Sequence, residues 1–317
     1  MKLLFRTDIH VADKSPGSWK ADYRAETLSC LKQIGDIARK HRVTAVLDGG
    51  DFFHVKAASR TSHELVRQVV EIHKTAYHCP VYHVEGNHDV QANNLETCGR
   101  QPLGVLYAAG VFERLRDTTL TDEDGGTVRV VGLPFDIDRK VEDFYVEKGS
   151  EDHLVVIAHT LASDTDREAP DFFGEPIFSY SDLEGADADV FCFGHWHKDQ
   201  GIVNSRFVNT GSVSRGALNH DNVGRTPKVV LMEFGESVTL TEIPLQVKPA
   251  DEIFDFDRKE RQEEQDRSIE EFVQKIRADV SLGGDPKEVV DGAIEGMGYA
   301  PEVQELARQY LARARES

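Results

Sequence analysis

Five short apolar runs recur through the first two hundred residues: Lys2–Arg6 (KLLFR), Thr44–Leu47 (TAVL), Val81–Val84 (VYHV), Leu154–Ala158 (LVVIA) and Val190–Phe193 (VFCF). Each has the length and composition of a buried strand. Between the first two, Leu28, Leu31, Ile34 and Ile37 repeat on one face of a helix over 24–40, and a second helix is expected over 61–76. Strand, helix and strand in succession predict right-handed parallel crossovers. Pro102–Gly110 reads as a further helix. Phe112–Leu115 and Val128–Gly132 read as strands of a second sheet, joined through the turn Asp122–Gly126 (DEDGG). Ile202–Val203, Phe207–Val208, Lys228–Phe234 and Val238–Ile243 are strand-like and alternate. The fold class expected over residues 1–245 is therefore α/β, a two-sheet β-sandwich flanked by helices.

Two segments break this rhythm. The connection 160–188 carries Asp171, Phe172, Phe173, Phe178 and Tyr180. A loop of that length is usually functional or disordered, and its aromatic rings serve either core packing or stacking on bases. Past Pro244 to Pro249 the character changes, and residues 246–317 are expected to form a helical C-terminal tail. There Ile269, Phe272, Val273 and Ile276 stripe Glu263–Val280, and Val303, Leu306, Tyr310 and Leu311 stripe Pro301–Ala314. The break Ser281–Asp285 (SLGGD) and a short helix at Pro286–Glu295 separate the two.

Composition narrows the setting. A chain of 317 residues, 39% hydrophobic, can bury one large core with a small appendage. Cys30, Cys79, Cys98 and Cys192 show no paired spacing and are expected to be reduced thiols. No apolar stretch reaches about 18 residues, and the first motif follows the N-terminus without room for a signal peptide. The expected location is the cytoplasm, or the host cytoplasm if the chain is viral, with no membrane partner. The formal charge of −19 opposes long-range attraction to a phosphate backbone. Residues 251–317 hold 18 Asp and Glu against 10 Lys and Arg, so −8 of it sits in the tail. Lys14, Lys20, Arg24, Lys56 and Arg60, which follow the first two motifs, are the cations placed to offset it locally.

The chemistry stands where the strands end. Asp8-x-His10, Gly49-Gly50-Asp51, Gly86-Asn87-His88-Asp89, His159 and Gly194-His195-x-His197 each follow one of the five runs. In open α/β sheets the crevice beyond the carboxyl ends of the strands binds ligands, which would gather all five into one site. Oxygen and nitrogen donors without thiolate suit Mn, Fe, Zn or Mg, with Mn2+ the first choice. Seven ligands are too many for one ion. Shared between two, Asp8, His10, Asp51 and His197 would hold the first and Asp51, Asn87, His159 and His195 the second. Such ions lie roughly 3.5–4 Å apart and clamp an in-line phosphoryl displacement, with a hydroxide held between them as nucleophile. His88 is left over from the ligand set. It is placed to protonate the leaving oxygen, with Asp89 or another acceptor orienting its ring. The stretch Asn209–Arg215 (NTGSVSR) offers a tight turn, the hydroxyl of Ser212 and the cation Arg215 to a phosphate.

The order and spacing of these motifs resemble the calcineurin-like metallophosphoesterase superfamily over residues 1 to 245. Protein serine/threonine phosphatases continue the second motif as GDxxDRG and the third as GNHE, whereas this chain reads Gly50-Asp51-Phe52-Phe53-His54 and closes the third with Asp89. Purple acid phosphatases place a Tyr where His54 stands. A GGDxFH second motif, a GNHD third, a GHxH fifth and the Asn209–Arg215 stretch resemble the SbcD-type DNA repair nucleases. That resemblance implies DNA as substrate, His54 beside the metals and helping to orient DNA, and C-terminal helices docking on an SbcC-like coiled-coil ATPase. A homodimer holding two DNA ends is compatible with it. The capping domain of larger members is short or absent here. Two alternatives stay open: a phosphodiesterase for a small substrate such as a cyclic nucleotide, which the acidity suits, and a scaffold that has lost catalysis.

Overall fold

Alternation in the first apolar run builds the centre of the molecule. In this computed structural model, which describes residues 1–54, 60–164 and 174–261 together with Glu264, Arg267 and Gly292, β1 (Lys2–Arg6) turns Leu3 and Phe5 to one face and Leu4 and Arg6 to the other. It is followed by α1 (Tyr23–His41), β2 (Ala45–Asp48), α2 (His63–Ala76), β3 (Val81–His83), α3 (Pro102–Ala108) and β4 (Glu113–Arg114). Asp22 caps α1 by accepting from the Ala25 N–H, and Ser62 caps α2 by accepting from the Leu65 N–H. β1 to β4 are parallel, and β12 (Lys228–Phe234) and β13 (Val238–Pro244) extend the sheet antiparallel from β1, in the order β13-β12-β1-β2-β3-β4.

The second sheet takes β5 (Asp117–Thr121), β6 (Thr127–Leu133), β7 (His153–Ser163), β8 (Ile177–Ser179), β9 (Val190–His195), β10 (Gly201–Val203) and β11 (Phe207–Asn209). Its order is β10-β11-β9-β7-β6-β5, with β8 paired to the far end of β7. Between the sheets lie Leu3, Phe5, Leu47, Val130, Val155, Ile157 and Cys192. Each side chain of this size buried there contributes on the order of 1.5–3 kcal/mol. The outer face of the first sheet packs under α1, α2 and α3 through Leu4, Val46, Leu31, Ile34 and Val69. The outer face of the second packs Val156, Phe191, Phe193 and Phe207 on Phe144 and Tyr180. The expected α/β sandwich of two mixed sheets with flanking helices is the fold observed.

Two expectations are corrected. The segment 112–115, expected in the second sheet, lies in the first: β4 pairs with β3, and the Leu115 N–H donates to the His83 carbonyl at 2.8 Å. β7 runs eleven residues rather than five, because β8 pairs in parallel with Leu161–Ser163, beyond the reach of β6 and β9. Phe178 and Tyr180 are buried core rings. Asp171, Phe172, Phe173 and Lys56 lie outside the described residues, as do the expected tail helices, apart from Glu264, Arg267 and Gly292, which are helical.

Met1–Phe254 forms one compact unit and Asp255–Ser317 a second. The first runs past residue 245 because α5 (Ala250–Ile253) and Phe254 pack on Trp19 and Leu218. In the second, residues 256–261 are helical. All four cysteines are free thiols, and among the described residues no helix is long and apolar enough to cross a membrane.

Candidate metal centre

The carboxyl ends of β1, β2 and β9, the middle of β7 and the turn after β3 meet at one rim of the sandwich. Asp8, His10, Asp51 and His195 all have positive φ, of 53°, 50°, 54° and 89°, a region that side chains adopt only under tertiary constraint. Here the constraint is visible. The Asp8 N–H donates to the Gly50 carbonyl and the His10 N–H to the Asp51 carbonyl, both at 3.0 Å, stitching the first two turns together. Ser212 Oγ donates to the Asp8 carbonyl at 2.7 Å from behind. Two glycines are required by close approach. A Cβ on Gly50, whose φ is 105°, would lie 2.5 Å from His159 Nδ1, and one on Gly86 would collide with Asp51 Oδ1.

Two groups of donors share Asp51. His10 Nε2 and His197 Nε2 stand 2.9 Å apart. Asp8 Oδ1 lies 3.7 Å from the first and 3.4 Å from the second, and Asp51 Oδ2 lies 3.6 Å from His10 Nε2. On the other side Asp51 Oδ1 lies 3.4 Å from His159 Nε2, which is 3.3 Å from Asn87 Oδ1. Ligand atoms of Asp51, His159 and His195 fall within 4.8 Å of one another. The two oxygens of one buried carboxylate thus face two separate sets. Four lone-pair atoms converging on one point exceed what a shared proton can satisfy, and a divalent cation fits that donor set. His159 Nδ1 donates to the Gly49 carbonyl at 2.7 Å, which presents Nε2 to Asp51.

Electrostatics agree with a site built for added positive charge. Burial would raise Asp8, but hydrogen-bonding His10 and His197 hold it well below the usual carboxylate range. Asp51 is likewise lowered against its burial by His159, His10 and His88. Burial pushes His10 down to about 4, against the pull of Asp8. His159 goes the other way, up to about 10, because the charge and hydrogen bond of Asp51 outweigh its burial. A metal ion replaces a proton at such positions, so uptake releases protons.

His88 comes to this rim, and of the two expected possibilities it is another acceptor, not Asp89, that orients its ring. His88 Nδ1 donates to the His54 carbonyl at 2.7 Å. Asp89 does not take that role: its carboxylate accepts from the backbone N–H groups of Asp51, Phe52 and Gly86 at 2.8, 3.1 and 2.9 Å and pins the turn that carries Asp51. His54 stacks on His88 at 5.4 Å and meets His10 edge-on at the same distance. Its ring is lowered by burial and by the neighbouring charge of His88. His10, His54 and His88 form a third converging group, without a carboxylate.

Ser212 and Arg215 are not brought to the substrate side. Ser212 is buried behind Asp8, and Arg215 is buried with Nη2 on the Lys248 carbonyl. Arg225 braces the same loop through the Ser212 and Ser214 carbonyls. Arg24 is spent on Asp13 and Gln68. The side chains that do line the cleft, of about 360 Å³, beside Asp51, Asn87 and His88 include Glu175, Trp196, Lys198 and Asn219, the last capping α4 (His220–Val223). Glu175 is the least foreseeable, with Oε2 2.7 Å from His195 Nε2. A carboxylate on one nitrogen of a ligating imidazole fixes its ring and raises the basicity of the other nitrogen. A larger cleft, about 540 Å³, opens at the opposite ends of the strands around Met1, Thr127 and His153 and contains none of these ligands.

A sequence model of the family described as calcineurin-like phosphoesterase matches residues 1–199. The crystal structure of a dimetal phosphatase from Danio rerio is similar with a TM-score of 0.51 at 12% identity, covering 78% of this chain and 97% of that one. A crystal structure from Thermus thermophilus has a TM-score of 0.40 at 11% identity, covering 76% and 98%. The first likeness is one of fold. No curated protein matches the chain.

Proposed function

Since the chain belongs to the calcineurin-like phosphoesterases, we propose that it is a two-metal phosphodiesterase acting on DNA, resembling the SbcD-type nucleases. The observation that carries the reading is Asp51, a buried carboxylate with one oxygen toward His10 and the other toward His159, with His88 hydrogen-bonded to it. Asp8, His10, Asp51 and His197 would hold one ion, and Asp51, Asn87, His159 and His195 the other. When bound, the ions supply Lewis acidity at the phosphoryl oxygens and a water acidic enough to attack near neutral pH. Mn2+ suits the donors.

The remaining chemistry falls to the chain. The His88 N–H donates to Asp51 Oδ1 at 2.8 Å, which ties the acid to the bridging residue. With Nδ1–H held by the His54 carbonyl, Nε2 is the nitrogen left to carry a proton to the leaving oxygen. Asp89, through its three backbone bonds, keeps the Asp51 turn from shifting.

The GNHD and GGDxFH motifs and His54 support DNA as the substrate. The charge of −19 supports a partner that supplies the cationic surface, and the SbcD resemblance makes that partner a coiled-coil ATPase docking on the tail. The same acidity and a cleft of about 360 Å³ favour a second reading, a small phosphodiester substrate. Both are tested with the purified full chain and Mn2+, using end-labelled DNA and bis-p-nitrophenyl phosphate in parallel. The control is His88→Ala, expected to keep its metal and lose roughly 10²–10⁴-fold in turnover. Release of label that needs Mn2+ and His88 supports the nuclease. Cleavage of the small diester with DNA intact favours the second reading, and a fully active His88→Ala enzyme refutes the acid assignment.

A further inference from the structure

Two clefts share one wall. Trp196 and Lys198 line the metal cleft and also a neighbouring cleft of about 260 Å³ that continues past them along Ser163, Asp164, Gln200 and Val203. A chain whose scissile phosphate sits at Asp51 and His88 and which extends in that direction must cross the indole and then the ammonium group.

The protein has two tryptophans, and they are used differently. Trp19 is engaged, edge-on to Tyr23 at 4.8 Å and to Phe254 at 5.6 Å, with Nε1 donating to the Arg215 carbonyl at 2.9 Å. Trp196 is half-buried, and among the described residues its ring meets no other ring and its Nε1 bonds to nothing. Because it stands between His195 and His197, its backbone is held by the metal site itself. Lys198 pairs with no carboxylate among the described residues. Its neighbour Asp199 is already taken by Lys228 at 2.9 Å. In a chain of net charge −19, a bare indole face followed by an uncompensated cation at the mouth of the cleft matches a base and the next phosphate along a strand.

We propose that Trp196 and Lys198 form a nucleotide subsite, in which the indole stacks on the base of the nucleotide that carries the scissile phosphate and Lys198 pairs with the phosphate that follows. The subsite rests on the phosphodiesterase reading and sharpens it: the substrate is a nucleotidyl diester with at least one further phosphate.

The test uses the full chain with Mn2+ and three diesters sharing one leaving group: methyl p-nitrophenyl phosphate, thymidine 5′-(p-nitrophenyl phosphate) and its 3′-phosphorylated form. The ratio of kcat/KM for the thymidine diester over the methyl diester is expected to fall roughly tenfold in Trp196→Ala and to recover in Trp196→Phe, as stacking requires. The gain from the 3′-phosphate is expected in the wild type and lost in Lys198→Gln. Thymidine 5′-monophosphate should quench indole fluorescence in the wild type but not in Trp196→Phe, which keeps Trp19; inorganic phosphate should quench neither. An unchanged ratio in an active Trp196→Ala enzyme, or equal quenching in Trp196→Phe, overturns the subsite. Quenching confined to Trp196 without cleavage of any diester would instead sink the phosphodiesterase reading and leave the subsite standing.

Discussion

Replacing Arg6 by Met tests how the strand ends beneath the metal site are held. Arg6 and Asp48 are fully buried and joined at 2.7 Å. The guanidinium also reaches the Tyr77 hydroxyl and His73 Nε2, and its carbon lies 5.3–5.6 Å from the ring centres of Phe52, Tyr77 and Phe112. Tyr77 and His73 each keep another partner, the Leu31 and Val69 carbonyls, when Arg6 is removed. Asp48 does not keep a cation. Burial raises its carboxyl group above the ordinary value even with Arg6 pulling it down, so without Arg6 the ionised form keeps the Gly50 N–H but no countercharge. Breaking such a buried pair costs about 3–5 kcal/mol. At about 2–4 °C per kcal/mol for a chain of this size, Arg6→Met should melt roughly 6–20 °C below the wild type. The melting is followed by circular dichroism in EDTA, so that metal binding does not contribute. Arg6→Met/Asp48→Leu removes both charges and should recover most of the loss. What stays lost is the bond from the Gly50 N–H to Asp48 Oδ1, at 3.1 Å, worth about 1 kcal/mol. A single variant within about 1 kcal/mol of wild type, or a double variant no more stable than the single, would refute the argument.

Other perturbations separate site from scaffold. Gly86→Ala pushes a methyl group against Asp51 Oδ1 and to 2.6 Å from the Asp51 N–H; metal content should fall below that of the wild type while the far-ultraviolet spectrum is kept, and full metal loading would contradict it. Glu175→Gln should weaken uptake of one of the two ions by roughly 10–100-fold in calorimetric titration; identical isotherms would remove Glu175 from the site. His83, pushed down to about 3 chiefly by burial, is neutral in the fold and has an unfolded value near 6.5. Its contribution is present above that value and is lost as pH falls from 6.5 towards 3. Urea unfolding of the wild type should therefore steepen by up to about 1.4 kcal/mol per pH unit over that window relative to His83→Phe. Parallel pH profiles would mean that His83 takes up its proton without leaving the core.

The strands that carry ligands were legible as short apolar runs, and two of them, β2 and β3, lead into turns whose glycines, Gly50 and Gly86, admit close approach. β4 was misplaced because two residues carry no period, and only its pairing with β3 assigns it to a sheet. Neighbours in a motif can point apart. His88 reaches the cleft while Asp89, the next residue, turns inward onto three N–H groups, and no spacing argument separates the two. Ser212 and Arg215 fit a phosphate loop by composition, yet their side chains serve Asp8 and Lys248 from behind. Glu175 lies within the long connection 160–188, so its closeness to His195 is purely tertiary. Arg6 and Asp48 were hidden for the opposite reason: they end runs read as apolar, and only the structure shows a fully buried ion pair there. Trp196 was visible as the variable position of the fifth motif, but nothing in a single sequence distinguishes a core indole from one facing two clefts.

Asp8, His10, Asp51 and His195 hold left-handed backbone that would be relaxed by glycine, and each such position costs about 1 kcal/mol or more. Mutation in a lineage released from catalysis would find easy gains in stability at these four places, since substitutions that relieve local strain are among the simplest ways to stabilise a fold. All four still carry a carboxylate or an imidazole. Four of the nine non-glycine residues with left-handed backbone among the described residues meet at this one rim, and a descendant that had become a mere scaffold would be recognised by glycines appearing there first.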